Sequence, residues 1–196
     1  MKMKNLMFTI AVLALMGCST GEKKDEKTED HSQHQHDAKK EEGAKKPLSP
    51  RTAAMAMIGS NHVHIDYGSP SKRGRMIFGG LVGYGIVWVT GAHKATTISF
   101  DKDVKINETS ISAGKYGLFT IPAENEWTII INKDWDMHLA DDYDPANDVV
   151  RVTVPAQKLN EVVESLTFEV TETNDGKGQI SIKWDQTAVS FEFENR

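Results

Sequence analysis

The segment Ser190-Phe191-Glu192-Phe193-Glu194 alternates polar and apolar residues. That period of two belongs to a strand with one face buried and one wet. Comparable segments recur from residue 61 onward: 61–67 NHVHIDY, 75–79 RMIFG, 86–90 IVWVT, 95–100 ATTISF, 103–106 DVKI, 109–112 TSIS, 116–121 YGLFTI, 126–132 EWTIIIN, 149–155 VVRVTVP, 165–172 SLTFEVTE, 178–184 GQISIKW and 188–194 AVSFEFE. Turn formers stand between them, as in PSKRG, GGLVGYG, SAGK, PAEN and TNDGKG. Two stretches read differently. SPRTAAMAMIG is rich in alanine and closes on Gly59, which predicts a short helix or turn, and 156–164 AQKLNEVVE predicts a second short helix. Many short strands without a long helix predict an all-β fold, an antiparallel β-sandwich of jelly-roll or Ig-like type, with a closed barrel as the alternative. Trp88, Trp127, Trp135 and Trp184 lie in or beside strands and are expected to pack in the core.

Towards the start of the chain this pattern stops. MKMKNLMFTIAVLALMGC carries two early lysines and an apolar run from Leu6 to Met16, too short for an ordinary membrane span. Leu15-Met16-Gly17-Cys18 resembles a bacterial lipobox, which implies a product that begins at a lipidated Cys18. The following 19–48 mixes lysine with glutamate and aspartate and has almost nothing apolar, so it cannot offset its chain entropy by burial. The expected organisation is a signal over 1–18, a disordered charged linker over 19–48 and a single β-sandwich domain over 49–196. The expected location is the bacterial envelope, lipid-anchored, in the outer membrane.

Cys18 is the only cysteine. An intramolecular disulfide, a thiolate nucleophile and a blue-copper thiolate are therefore excluded. The net charge of −5 argues against a nucleic-acid partner. No G-x-S-x-G elbow is present, and GGLVGYG lacks the following helix that a phosphate cradle needs. Asp141, Asp142, Asp144 and Asp148 lack EF-hand spacing and are expected to shape a turn.

Histidine is the residue type that points to chemistry. His62 and His64 would share one face of a strand with Asp66, opposite Val63, Ile65 and Tyr67. Two imidazoles at i and i+2 can lean onto one ion, and the only other histidines after the linker are His93 and His138. These four are the candidate metal ligands, with Asp66 and Met137 as supporting groups. His31, His34 and His36 in HSQHQHD make a loose metal-collecting tract or a plain polar spacer. Nitrogen ligands suit copper or zinc. Met55-x-Met57 precedes His62-x-His64; thioethers favour copper(I), but both methionines are expected to pack on one side of a short N-terminal segment. Lys72, Arg73 and Arg75 form a basic loop that either binds an anion or pairs with acidic neighbours.

The stretches SPRTAAM, VHIDYGSPSKRGRMIFGGLVGYGIVWVTGAHKATTISF, ISAGKYGLFTIPAENEWTIIINKDWDMHLADDYD and DVVRVTVP resemble an uncharacterised family of bacterial exported proteins and lipoproteins, a domain of unknown function. The resemblance implies an all-β domain behind a lipoprotein signal and supplies no settled activity. A common form in that family reads W-R-T-G-A-N and D-W-x-x-W-G. Here Val89 replaces the arginine, His93 the asparagine and His138 the tryptophan. A joint change at two distant loops is what one shared site would require. The expectation is a lipid-anchored envelope protein that binds copper or zinc through histidines. The alternatives are a non-metal interaction module, or a metal-dependent hydrolase with an open coordination position.

Overall fold

A computed structural model describes residues 47–174 and 176–196. Among the described residues there are ten strands: β1 (Arg51–Ile58), β2 (Asn61–Gly68), β3 (Thr96–Phe100), β4 (Val104–Ile106), β5 (Thr109–Ile111), β6 (Gly114–Pro122), β7 (Glu126–Asn132), β8 (Asp148–Pro155), β9 (Gln157–Asn174) and β10 (Lys177–Asn195). They form two antiparallel sheets, a six-stranded one in the order β1-β2-β3-β6-β7-β8 and a four-stranded one in the order β5-β4-β10-β9. The architecture is a β-sandwich. One apolar core lies between the sheets, with Ile65, Ile98 and Trp127 from the first and Ile182, Trp184 and Phe193 from the second. Trp88, Trp127 and Trp184 surround Phe78; Trp88 stacks on Trp184 at 6.0 Å and Phe78 meets Trp127 edge-on at 4.8 Å.

Several expectations change. The alanine-rich SPRTAAMAMIG is not helical: residues 51–58 are β1. Its alternation is small but real, with Ala54 and Ala56 against the core and Met55 and Met57 outside. Pairing to β2 through the two-residue turn Gly59–Ser60 overrides the helix preference of alanine. Gly59 takes φ 54, as glycine in the first position of such a turn requires. The predicted helix over 156–164 is the first half of β9, held by pairing to β10. The only described helix is a 3-10 turn, Pro145–Asn147, whose Ala146 N–H donates to the Asp144 carboxylate at 2.9 Å. RMIFG and IVWVT are not strands; they are irregular segments whose apolar residues serve as plugs, Ile77 in the main core and Val89 in a smaller one. GQISIKW and AVSFEFE are one strand. Around Asp185, at φ 54, the register to β9 shifts twice. The inward positions accordingly change from 180, 182 and 184 to 189, 191 and 193. A bulge that inserts residues has this effect on a period of two.

Two features position the outer face of the six-stranded sheet. The smaller core, made by Val89, Ala95, Phe119, Ile130 and Met137, seals the segments around 87–95 and 137–143 over β6 and β7. The β1–β2 hairpin is clamped from the far end of β10. Asn61 Nδ2 donates to Asn195 Oδ1 at 2.8 Å, and Asn195 Nδ2 donates to the Ile58 carbonyl at 2.7 Å.

Candidate metal centre

β2 behaves as its alternation predicts. Val63, Ile65 and Tyr67 are buried, and His62, His64 and Asp66 are half-buried on the outer face. The His62 and His64 ring centroids are 5.9 Å apart. An ion about 2 Å from a ring nitrogen lies about 3.2 Å from that ring's centre, so two rings on one ion have centres about 5 Å apart at a tetrahedral angle and about 6.4 Å apart when linear. The observed pair falls inside that range.

His93 and His138 also meet, at 6.4 Å between centroids. Their loops are stitched together: Leu139 N–H donates to the His93 carbonyl at 2.7 Å and Ala95 N–H to the Met137 carbonyl at 3.0 Å. His93 adopts φ 65 and Leu139 φ 53, left-handed conformations that few residues with side chains accept. Both histidines are exposed, and His138 Nδ1 lies 3.9 Å from an Asp141 carboxylate oxygen. This pair sits at the linear limit for one ion.

The four histidines are thus brought together as two pairs. Ala92, beside His93, packs on Gly68, so closely that a Cβ at Gly68 would lie 2.4 Å from the Ala92 carbonyl oxygen. Gly68 is four residues along β2 from His64, about 13 Å at about 3.3 Å per residue. Among the described residues, no group of three or more His, Cys, Asp and Glu side chains is arranged to hold a metal.

Asp66 forms an ion pair with Arg51, whose Nη1 also donates to the Lys94 carbonyl at 3.2 Å. Burial lowers the Arg51 pKa from its ordinary value. These groups, with His64, Lys115, Trp135 and Asp136, line a recess of about 330 Å³ beside the β2 pair. Trp135 is not in the core as expected: it is 38% exposed, with the Lys115 ammonium 4.0 Å from its ring centre. Met137 is buried in the smaller core, which accounts for its side chain without a metal. The basic loop is consumed internally. Lys72 Nζ pairs with Asp185 at 2.6 Å, Arg73 donates to the Leu48 carbonyl, and Arg75 donates to the Lys72 and Ser71 carbonyls. Cys18, His31, His34 and His36 lie outside the described residues.

The loop that carries His138 is held by a polar network. Asp148 accepts hydrogen bonds from Tyr143 at 2.8 Å, Arg151 Nε at 2.6 Å and Asn132 Nδ2 at 2.8 Å. Burial first, and the Asp148 carboxylate second, push the Tyr143 phenol up to about 12. Asp148 here anchors a turn, as the acidic cluster was expected to do.

One feature escaped the sequence reading. Met55 lies directly opposite His64, and Met57 opposite His62. Both methionines are 55% exposed instead of packed. The signal for this was the Gly59-Ser60 pair: a two-residue hairpin turn there folds M-x-M onto H-x-H in register.

No curated protein and no solved structure matches the chain. Residues 49–193 match a family described as a protein of unknown function, DUF2911. Because that span covers well over half of the chain, the chain belongs to this family.

Proposed function

We propose that this protein is a lipid-anchored envelope protein that binds a transition metal, copper or zinc, with the His62–His64 pair as the primary site and His93–His138 as a second one. The observation that carries the reading is the 5.9 Å ring separation on one outward strand face, within the span that two imidazoles on one ion require. The lipid anchor rests on the Leu15–Cys18 motif and the charged linker on its composition. Binding, not hydrolysis, is the preferred activity, because the carboxylate that shares that face of β2, Asp66, is engaged by Arg51 and is poorly placed as a base. The test uses protein in which His31, His34 and His36 are alanine, so that the linker cannot contribute. Zinc and copper(II) are titrated against it, with melting temperature as the readout. Metal should raise the melting temperature, and His62→Ala/His64→Ala should abolish most of the rise. An undiminished rise in the double variant would sink the proposed primary site.

A further inference from the structure

We infer that the outer face of the β1–β2 hairpin is a copper(I) site in which the thioethers of Met55 and Met57 join the imidazoles of His62 and His64 on one ion. This rests on the metal-binding reading above and narrows it to a ligand set and an oxidation state.

Three observations carry it. The first is register. Met55 faces His64 and Met57 faces His62 across an antiparallel pair, all four on the outer face. Directly opposed Cβ atoms stand about 5 Å apart, and i, i+2 neighbours about 7 Å. The four side chains therefore rise from the corners of a small rectangle. Each is long enough to reach an ion over its middle with bonds of about 2 Å.

The second is an inversion of packing. β1 turns its alanines towards the core and its methionines to water, each 55% exposed. A strand that needed only to pack would place the larger apolar side chain inside. The smaller core covers β6 and β7 and does not include these methionines.

The third is donor chemistry. Neutral imidazoles and thioethers are uncharged, so the ion keeps its full charge at a half-buried surface. The cost of desolvating an ion grows with the square of its charge, which favours a monovalent one. Thioether sulfur is a soft ligand that selects copper(I) over zinc, and imidazole accepts either. No thiolate competes, since the chain's one cysteine is Cys18.

The test is an anaerobic competition of copper(I) against a chromogenic copper(I) chelator, using the chain with His31, His34 and His36 replaced by alanine. A parallel zinc titration is run on the same protein. The parent should hold one copper(I) at this site, with sulfur as well as nitrogen in its X-ray absorption spectrum. Met55→Leu/Met57→Leu keeps size and apolar character, so its melting temperature should match the parent. It should lose at least tenfold in copper(I) affinity and change zinc affinity less than twofold. If the methionine variant holds copper(I) as tightly as the parent, or the spectrum shows nitrogen alone, the inference is overturned while the histidine reading stands. If neither metal binds the parent, both fall. Equal loss of copper(I) and zinc in the methionine variant, at unchanged melting temperature, also overturns the selectivity proposed here.

Discussion

Gly68→Ala tests how the His93 turn is seated. The added Cβ would lie 2.4 Å from the Ala92 carbonyl oxygen and 3.1 Å from its nitrogen. An unstrained C···O contact is about 3.3 Å, so the oxygen must retreat by about 0.9 Å. The obstruction is backbone, and it cannot swing away as a long side chain can. Overpacking costs about 1–3 kcal/mol, and this contact belongs at the upper end. Replacing glycine recovers about 0.4–1 kcal/mol through the unfolded chain, which leaves a net loss of about 2 kcal/mol. With a urea slope near 2 kcal/mol/M, the midpoint should fall by about 1 M. Hydrogen exchange locates the effect. The Leu139 amide, bonded to the His93 carbonyl, and the Ala95 amide, bonded to Met137, should exchange faster. The Asp101 amide, bonded to the His62 carbonyl, should change little beyond the global loss of stability. A midpoint shift under about 0.2 M, or uniform acceleration at all three amides, would refute the claim that Gly68 is a local seat for the turn.

Two further outcomes follow from strained or coupled groups. Leu139 is 43% exposed at φ 53, so Leu139→Gly relieves a left-handed conformation costing about 1–2 kcal/mol against a glycine penalty of about 0.5–1 kcal/mol. A rise of about 2 °C in melting temperature is expected, and a fall would contradict the assignment of strain. For Tyr143, whose phenol is pushed up to about 12, the folded state favours the neutral form. Its contribution to stability is complete below the unfolded value near 10 and is lost as pH rises through about 12. In an ultraviolet titration Asp148→Asn should bring the last tyrosine midpoint down towards 10; an unmoved midpoint would show that the carboxylate is not a cause.

The sandwich was legible where burial is one-sided. β2 and the end of β10 carry a period of two that needs no knowledge of their partners. What failed depends on pairing. The alanines of β1 suit a helix until β2 is in register beside them, and the first half of β9 is strand because β10 lies along it. RMIFG and IVWVT have strand composition, yet their apolar side chains fill gaps as irregular chain. The same division holds for the candidate site. His62 and His64 share a face by local geometry alone. Whether His93 and His138 join them is set by where two loops land, and the packing of Ala92 on Gly68 seats their turn at the Gly68 end of β2. Met55 and Met57 fell between these cases: their position follows from a two-residue turn, which the helix reading of 51–58 concealed.

The asparagine clamp on the β1–β2 hairpin also sets an order in time. Asn61 is bonded to a residue 134 positions later in the chain. At a synthesis rate of about 5–20 residues per second, the hairpin waits roughly 7–27 s for that partner to be made. During that interval the edge carrying Met55, Met57, His62 and His64 exists without its fastener. A nascent or truncated chain ending before Asn195 carries these four residues on a hairpin that lacks its tie to β10.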